Sequence, residues 1–293
     1  MKIGGVRGGV SRGGMMTHHG KEGGGVRARS MVQGEGEELS GSHPDVVLLH
    51  GFTGSAMAWP LMIRRGLAAG LRGVRALDLP GHGERRHGAA PRSFEWDASV
   101  ADLAEQLGPD PVDLVGYSFG GRMALALALG YPGKVRRLVL ESASPGLATD
   151  QERLRRRASD EELAGLLESE GLSPFLHRWE HAPLFASQGS LPREVREAVR
   201  AQRSANEPAA LAAALRGLGT GAQPSLWNAL PSLAQPTLLV SGELDTKFVA
   251  IARSMSASIP DARMALVPVA GHRVHLEAPE AWLQVVSGFL SSE

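Results

Sequence analysis

The sequence predicts an α/β protein in which helices cover both faces of a mostly parallel sheet and a helical segment is inserted between two strands. Short apolar segments alternate with helical segments along much of the chain, an arrangement typical of a covered parallel sheet. One apolar strand, at 113–117, continues through a glycine-flanked serine directly into a strongly helical stretch. From residue 145 to about 230 the strand signal disappears, and it then resumes. We therefore expect the inserted helices to lie over the strand ends, where ligands bind in open α/β sheets.

Each predicted element rests on local patterning. The predicted strands are the apolar segments 45–50, 74–79, 113–117, 135–143, 236–245 and 264–272. The predicted helices, which have apolar residues at helical spacing, are 59–69, 94–107, 122–129 and 278–290. Turn signals such as Pro80-Gly81 and Gly108-Pro109 separate them.

Changes in composition divide the chain into four parts. Residues 1–43 include 13 glycines and show almost no apolar periodicity, so we expect a disordered tail that cannot bury enough surface to offset the entropy of ordering. Residues 44–144 and 231–293 are predicted to form the two parts of the α/β core. Residues 145–230, rich in Arg, Glu, Ala and Leu, are predicted to form a helical cap over the strand ends.

Composition and charge restrict the classes of partner. The formal net charge is zero, which argues against a broad nucleic-acid surface or an electrostatic membrane anchor. No run approaches the ~20 apolar residues of a membrane span, and no apolar core of a secretory signal follows the early arginines. The absence of cysteine excludes disulfides and cysteine-based zinc sites and is compatible with a reducing cytoplasm, where we expect the protein to work. We expect a small-molecule partner, with no metal and no cofactor.

The stretch Gly116-Tyr-Ser-Phe-Gly120 is the best candidate for catalysis. It matches Gly-x-Ser-x-Gly, in which glycines allow a strand to turn into a helix without steric conflict from a Cβ. Ser118 would then stand at a helix N-terminus, where free N–H groups favour developing negative charge. The strand before the motif and the helix former after it favour this interpretation over an ordinary glycine-rich turn.

A second strand end supplies candidates for the stabilisation of an oxyanion. The strand at 45–50 ends in His50-Gly51-Phe52, and the backbone N–H groups of Phe52 and Phe119 are predicted to converge beside Ser118. His50 could itself be a catalytic base. A histidine at a strand end more often holds a loop by hydrogen bonding, so we favour a structural role for His50.

The last two predicted strands supply an acid and a base for Ser118. A serine hydroxyl is a poor nucleophile or base until an imidazole accepts its proton and a carboxylate orients that imidazole. Asp245 and His272 follow the two strands, in an order along the chain that suits such a triad. The alternatives are Asp78 and Glu243 for the acid and His275 for the base. We prefer Asp245 and His272 because of their positions relative to the serine motif and the strands.

Together these features resemble the alpha/beta hydrolase superfamily over about residues 44–293. Within it, the chain more closely resembles the menaquinone-pathway family of 2-succinyl-6-hydroxy-2,4-cyclohexadiene-1-carboxylate synthases. The segments that carry this resemblance are 116–122, 154–160, 179–185, 203–206, 219–224, 242–248 and 270–272. The chain departs from the family pattern at 141–145, Glu-Ser-Ala-Ser-Pro, where the family more often has Gly-Gly-His before the proline.

The resemblance implies a lyase that abstracts a proton from a cyclohexene bearing succinyl, carboxylate and enolpyruvyl groups and then expels pyruvate. It also implies the substrate-binding residues, which are Tyr117, Arg122, Arg156, Trp179, Phe185 and Arg203. The choice of Arg156 over Arg155 and Arg157 depends on spacing from Pro145 and Asp160.

The residues themselves indicate an anionic substrate. Arg122 lies four positions after Ser118, one helical turn onward on the same face of an otherwise apolar helix. A guanidinium there could bind a carboxylate beside the catalytic hydroxyl. The alternative is that Arg122 extends to solvent or pairs with an acid.

The leading hypothesis is an elimination in which Ser118, activated by His272 and Asp245, takes a proton from a substrate C–H group. The main alternative is a serine carboxylesterase or carbon–carbon hydrolase that uses the same triad through a covalent intermediate. A catalytically silent ligand-binding protein of the same fold is a third hypothesis, which the intact triad disfavours.

Overall fold

Six parallel strands form one sheet in the part of the chain that this computed structural model describes, residues 43–69, 72–86 and 94–292. The strands are β1 (His43–Leu49), β2 (Arg72–Leu77), β3 (Val112–Tyr117), β4 (Val135–Glu141), β5 (Thr237–Gly242) and β6 (Ala262–Val267). Their order across the sheet is β2-β1-β3-β4-β5-β6, and every pair is parallel. The predicted α/β class with a parallel sheet is confirmed.

The strand order reverses direction beside β1. The chain passes from β1 to β2 on one side and then returns to place β3 on the other side, with Leu49 in register with Gly116. A crevice opens where the connections after two neighbouring strands leave in opposite directions. The carboxyl ends of β1 and β3 therefore form a natural ligand site.

Helices cover both faces of the sheet. In the described ranges they are α1 (Leu61–Ala68), α2 (Trp96–Gln106), α3 (Phe119–Gly130), α4 (Asp150–Glu170), α5 (Leu172–Glu180), α6 (Arg193–Ser204), α7 (Pro208–Leu218), α8 (Thr246–Ser256), α9 (Val274–Glu277) and α10 (Pro279–Ser291). Alternate residues of β1 enter two different apolar clusters, since successive side chains of a strand point to opposite faces. Helices α2, α3 and α8 pack on one face, and α1 and α10 on the other.

Helices α4 to α7 form the segment between β4 and β5. Helix α4 begins with a capping box, in which the Thr149 side chain and Glu152 satisfy each other's backbone N–H groups. A separate apolar cluster joins α4, α5 and α7, and the ring of Phe52 from the loop after β1 packs against it. The segment is thereby held above the crevice. No helix in the described ranges has both the length and the apolar character that crossing a membrane requires.

The boundaries expected for the cap, 145–230, and for the core parts stay predictions. The expected tail, 1–43, lies outside the described residues except for His43, with which β1 begins.

Strands β5 and β6 are shorter than the sequence indicates. They end at Gly242 and Val267, whereas the apolar patterns extend to 245 and 272. Beyond β5, Asp245 caps α8 by accepting a hydrogen bond from the Phe248 N–H at 3.3 Å. Beyond β6, Val269 has a φ of 62°, which strand residues do not adopt. Asp245 and His272 consequently lie on loops at the carboxyl edge of the sheet.

Candidate active site

Ser118 lies at a sharp turn between β3 and α3. Its φ of 51° falls in a region that residues other than glycine seldom occupy. The flanking glycines allow the turn: a Cβ on Gly116 would lie 2.5 Å from the Gly120 carbonyl oxygen, and one on Gly120 would lie 2.3 Å from the Leu49 carbonyl oxygen. The turn fixes the Ser118 hydroxyl at the N-terminus of α3, beside the crevice between β1 and β3.

Ser118, His272 and Asp245 form a connected series of hydrogen bonds. The distance from Ser118 Oγ to His272 Nε2 is 3.0 Å, and the distance from His272 Nδ1 to Asp245 Oδ2 is 2.6 Å. Both the histidine and the aspartate are buried. With the Nδ1 proton donated to the carboxylate, Nε2 is free to accept the serine proton. The arrangement can activate a hydroxyl.

Glu277 holds the loop that carries His272, a role that sequence reasoning missed. Its Oε2 accepts a hydrogen bond from the Gly271 N–H at 2.7 Å, and its Oε1 accepts one from the Arg273 N–H at 3.0 Å. These two N–H groups lie immediately before and after His272. The carboxylate therefore fixes the backbone on both sides of the imidazole.

The backbone N–H groups of Phe52 and Phe119 are available to an oxyanion. Neighbouring N–H groups are occupied: that of Gly54 donates to the Gly51 carbonyl at 3.0 Å, and that of Gly120 donates to the His50 carbonyl at 3.0 Å. Neither Phe52 nor Phe119 has an acceptor for its backbone N–H among the described residues. Both residues line the pocket that contains Ser118. Two unpaired donors beside an activated hydroxyl suit the stabilisation of developing negative charge.

His50 is bound within the loop and does not reach Ser118. Its Nδ1–H donates to the Gly51 carbonyl at 2.8 Å, and its Nε2 accepts from the Leu79 N–H at 3.0 Å. Burial lowers the pKa of His50 to about 4. His82 behaves in the same way, accepting from the Thr53 N–H at 3.1 Å, and burial lowers its pKa to about 3. Two neutral histidines thus hold the backbone around the candidate oxyanion site.

The alternative acids lie elsewhere. Asp78 accepts hydrogen bonds from the backbone N–H groups of Ala56 at 2.6 Å and Glu84 at 2.9 Å, so it ties two loops together. Glu243 is exposed. Neither is hydrogen-bonded to His272, whose Nδ1 faces Asp245.

Arg122 projects from α3 into the same pocket as Ser118 and is 9% exposed. Its Nη1 donates to Gln223 Oε1 and its Nη2 donates to the Leu218 carbonyl, each at 3.0 Å. Its guanidinium lies 5.0 Å from the Phe119 ring centroid. Among the described residues no carboxylate lies within ion-pair distance of it. Burial, and then the positive charge of Arg156, lower the pKa of Arg122 to about 9. The charge of Asp160 acts in the opposite direction on this pKa, but its carboxylate pairs with Arg156 rather than with Arg122. Among the described residues the pocket therefore contains a buried cation without a direct protein counterion.

Among the arginines near the start of α4, Arg156 lines the pocket. Its Nε donates to Asp160 Oδ1 at 2.7 Å, which leaves the outer nitrogens of the guanidinium for other partners. Arg155 is exposed, and Arg157 donates to the Gly221 carbonyl at 2.8 Å. Helix geometry thus separates three consecutive arginines into different environments.

The remaining cap residues suggested by the sequence also line this pocket. Arg203 is buried, donates to Glu180 Oε1 at 3.3 Å, and lies 5.5 Å from the Phe185 ring centroid. Trp179 also lines the pocket, and its indole N–H has no acceptor among the described residues. Tyr117, Trp179, Phe185 and Arg203 all line the pocket of Ser118. The structure therefore brings together every site residue that the sequence suggested.

Sequence reasoning missed a buried polar network next to this pocket. Glu141, fully buried, accepts hydrogen bonds from the Nδ1–H of His275 at 2.8 Å and 2.9 Å. His275 Nε2 in turn accepts from Arg273 Nε at 3.1 Å. Burial lowers the pKa values of His275 and Arg273. His275, weighed as a catalytic base from sequence, instead joins a carboxylate to a guanidinium, and Arg273 lines the pocket.

Comparison with known proteins supports this description. The sequence pattern of the alpha/beta hydrolase family matches residues 46–285. A candidate 2-succinyl-6-hydroxy-2,4-cyclohexadiene-1-carboxylate synthase of Bacillus subtilis (strain 168) is 41% identical over 267 residues, which cover 90% of this chain and 95% of that protein. The 2-succinyl-6-hydroxy-2,4-cyclohexadiene-1-carboxylate synthase of Salmonella newport (strain SL254) is 37% identical over 243 residues, covering 80% and 89%.

A solved structure agrees. MenH from S. aureus superposes with a TM-score of 0.80 and 34% sequence identity, covering 86% of this chain and 96% of that one. These matches confirm the resemblance recognised in the sequence. The chain belongs to the alpha/beta hydrolase family and, within it, to the family of 2-succinyl-6-hydroxy-2,4-cyclohexadiene-1-carboxylate synthases.

Proposed function

We propose that this protein is a lyase of menaquinone biosynthesis. It eliminates pyruvate from 2-succinyl-5-enolpyruvyl-6-hydroxy-3-cyclohexene-1-carboxylate to give 2-succinyl-6-hydroxy-2,4-cyclohexadiene-1-carboxylate. Two relatives named for this product, at 41% and 37% identity, support the assignment.

The chemistry follows from the two structures of the ring. The substrate has its ring double bond at C3 and the product has double bonds at C2 and C4, so the proton leaves C2, beside the succinyl carbonyl. The electron pair of that C–H bond forms the C2–C3 double bond, the original double bond moves to C4–C5, and the C5–O bond breaks. The leaving enolpyruvate takes up a proton at carbon and becomes pyruvate.

Ser118 is the proposed base. As its oxygen takes the C2 proton, its own proton passes to His272 Nε2, 3.0 Å away, and Asp245 stabilises the resulting imidazolium. The proton held by the His272 imidazolium is then available to the departing enolpyruvate. No bond between serine and substrate carbon is needed, so the reaction requires no acyl-enzyme.

The backbone N–H groups of Phe52 and Phe119 are the proposed partners of the enolate oxygen. Negative charge develops on the succinyl carbonyl oxygen as the C2 proton departs. Two fixed donors without an acceptor among the described residues would stabilise this charge without reorganising.

The observation that carries the proposal is the buried guanidinium of Arg122, one helical turn after Ser118, which has no carboxylate within ion-pair distance among the described residues. A buried charge is costly unless it is paired. A carboxylate of the substrate would supply the missing partner and would place the reacting ring beside the hydroxyl. Arg156 and Arg203 add positive charge from the cap, and Tyr117, Trp179 and Phe185 are the proposed contacts to the rest of the substrate.

The test is the release of pyruvate from the enolpyruvyl substrate, measured with a coupled lactate dehydrogenase assay. The proposal predicts one pyruvate for each diene formed, with much slower hydrolysis of a short p-nitrophenyl ester. Rapid hydrolysis of the ester without pyruvate release would instead support the alternative function, a serine carboxylesterase or carbon–carbon hydrolase. That alternative would use the same hydrogen-bonded triad, but through a covalent intermediate.

We also propose that the enzyme acts in the cytoplasm on this small polycarboxylate. A multiply charged metabolite does not cross a lipid bilayer unaided. Fractionation of the cells that produce the protein would test this location.

A further inference from the structure

The loop after His272 places a second buried guanidinium in the pocket, that of Arg273. This side chain is 5% exposed, lines the pocket of Ser118, and lies 5.9 Å from the Tyr117 ring centroid. Neither the sequence motifs nor the family resemblance gives it a role. Its position next to the reacting groups calls for a physical explanation.

The hydrogen-bond partners of Arg273 are neutral. Its Nε donates to His275 Nε2 at 3.1 Å, and its Nη2 donates to the Ala58 carbonyl at 2.9 Å. Among the described residues its Nη1 has no acceptor, and no carboxylate lies within ion-pair distance of the guanidinium. The nearby carboxylate of Glu141 is occupied by His275. Within the part of the chain that the structure describes, Arg273 therefore resembles Arg122, since each is a buried cation without a direct counterion.

The two buried arginines stand on different sides of Ser118. Arg122 packs against Phe119, which belongs to the apolar cluster on one face of the sheet. Arg273 packs against Tyr117, which belongs to the cluster on the other face. Ser118 lies between these two aromatic residues in the chain, at the edge where the faces meet.

Each buried arginine has a partner arginine from the cap. Arg156 and Arg203 line the same pocket as Arg122 and Arg273, so four guanidinium groups share one cavity. Besides burial, the positive charge of Arg156 lowers the pKa of Arg122 and that of Arg203 lowers the pKa of Arg273, while nearby carboxylates offset part of this repulsion. Each cap arginine already holds a carboxylate, Asp160 and Glu180 respectively. A ligand carboxylate between the members of either pair would relieve the repulsion.

We infer that Arg273 and Arg203 form a second carboxylate subsite, separate from the subsite at Arg122, and that the two subsites hold two different carboxylates of one substrate. This inference rests on the proposed function, in which the substrate carries several carboxylates. Anchoring at both ends fixes the ring between them, with its acidic C–H group aimed at Ser118 Oγ. A purely structural Arg273 would instead balance the charge of Glu141 through His275.

An equilibrium binding experiment distinguishes an Arg273 that binds a substrate carboxylate from an Arg273 with a purely structural role. The probes are 2-succinylbenzoate, a stable aromatic diacid, and its two monoamides, in which either the ring or the succinyl carboxylate is replaced by a neutral amide. Isothermal titration calorimetry measures Kd for the wild-type protein, Arg273→Gln, Arg122→Gln and the control Arg155→Gln, which removes an exposed arginine.

The inference predicts that Arg273→Gln weakens binding of the diacid roughly tenfold or more, the usual loss for a charge-assisted hydrogen bond. It also predicts that Arg273→Gln weakens one monoamide and spares the other, while Arg122→Gln has the opposite selectivity. Arg155→Gln should bind all three probes as the wild type does. Arg273→Lys should keep part of the affinity, because an ammonium retains the charge without the planar fork. If Arg273→Gln does not fold, Arg273→Lys provides the same comparison between the two monoamides.

Three results would each overturn the inference. The two glutamine variants could lose affinity for the same monoamide, Arg273→Gln could bind all probes as the wild type does, or the wild-type protein could bind the diacid no more tightly than either monoamide. Because the readout is binding, a protein that discriminates the monoamides as predicted but releases no pyruvate would refute the proposed function and leave the two subsites standing.

Discussion

Replacing Arg122 by alanine should weaken use of the anionic substrate while leaving the triad competent. Two guanidinium nitrogens already donate to neutral acceptors, Gln223 and the Leu218 carbonyl. One of the remaining N–H groups can form a charge-assisted hydrogen bond with a carboxylate, worth about 1.5 to 3 kcal/mol. KM for the enolpyruvyl substrate should therefore rise roughly 10- to 100-fold. The rate constant should also fall, since a displaced carboxylate misaligns the C–H group.

The assay compares steady-state pyruvate release with hydrolysis of neutral p-nitrophenyl acetate by the same preparations. Arg122→Lys should recover part of the loss, and Arg155→Ala, which removes an exposed arginine of α4, should match the wild type. Any slow hydrolysis of the neutral ester should be similar in all of these proteins, because that ester offers no carboxylate. A folded Arg122→Ala protein with unchanged KM for the anionic substrate would refute the reasoning.

Three further predictions concern the triad, the turn and acid stability. Ser118→Ala and His272→Ala should each greatly reduce the rate of pyruvate release, and the double variant should be little slower than the slower single variant. A double variant whose rate loss equals the product of the two single losses would contradict a shared mechanism. Gly120→Ala should lower both melting temperature and activity, because the new Cβ would meet the β1 backbone at 2.3 Å. A wild-type melting temperature would show that the turn adjusts. Because the folded pKa values of His50 and His82, about 4 and about 3, lie below the unfolded value of 6.5, protons favour the unfolded chain as pH falls below 6.5. Each histidine should cost about 2 kcal/mol of unfolding free energy by pH 5. Urea titrations at several pH values should show that the unfolding free energy of His82→Gln depends less on pH than that of the wild type. The same pH dependence in both proteins would contradict this prediction.

The triad residues could be anticipated from sequence because each follows a strong local signal. Ser118 lies in a glycine-flanked turn, and Asp245 and His272 follow apolar strands. In a parallel sheet all carboxyl ends share one edge, so residues distant in the chain are expected to meet there. Arg122 was accessible to the same reasoning, since helical spacing relates it to Ser118.

The second guanidinium could not be anticipated because its environment is tertiary. Arg273 is placed by a hydrogen bond to the Ala58 carbonyl and by contact with the Tyr117 ring, both far away in the sequence. A loop arginine beside a histidine has no periodicity that would reveal these contacts. The sequence does show a carboxylate, Glu277, shortly after His272. Its acceptance of hydrogen bonds from the Gly271 and Arg273 N–H groups, however, depends on how the loop folds back.

The central claim is that Ser118 acts as a base in an elimination and forms no covalent intermediate. The most direct measurement is rapid quenching of the wild-type enzyme during turnover of the enolpyruvyl substrate, with pyruvate, diene and intact protein mass determined on the same samples. The account predicts that pyruvate and diene appear in equal amounts and that the protein mass stays unchanged throughout. An adduct on Ser118 that forms and decays at the rate of turnover, or diene formation without pyruvate, would contradict it.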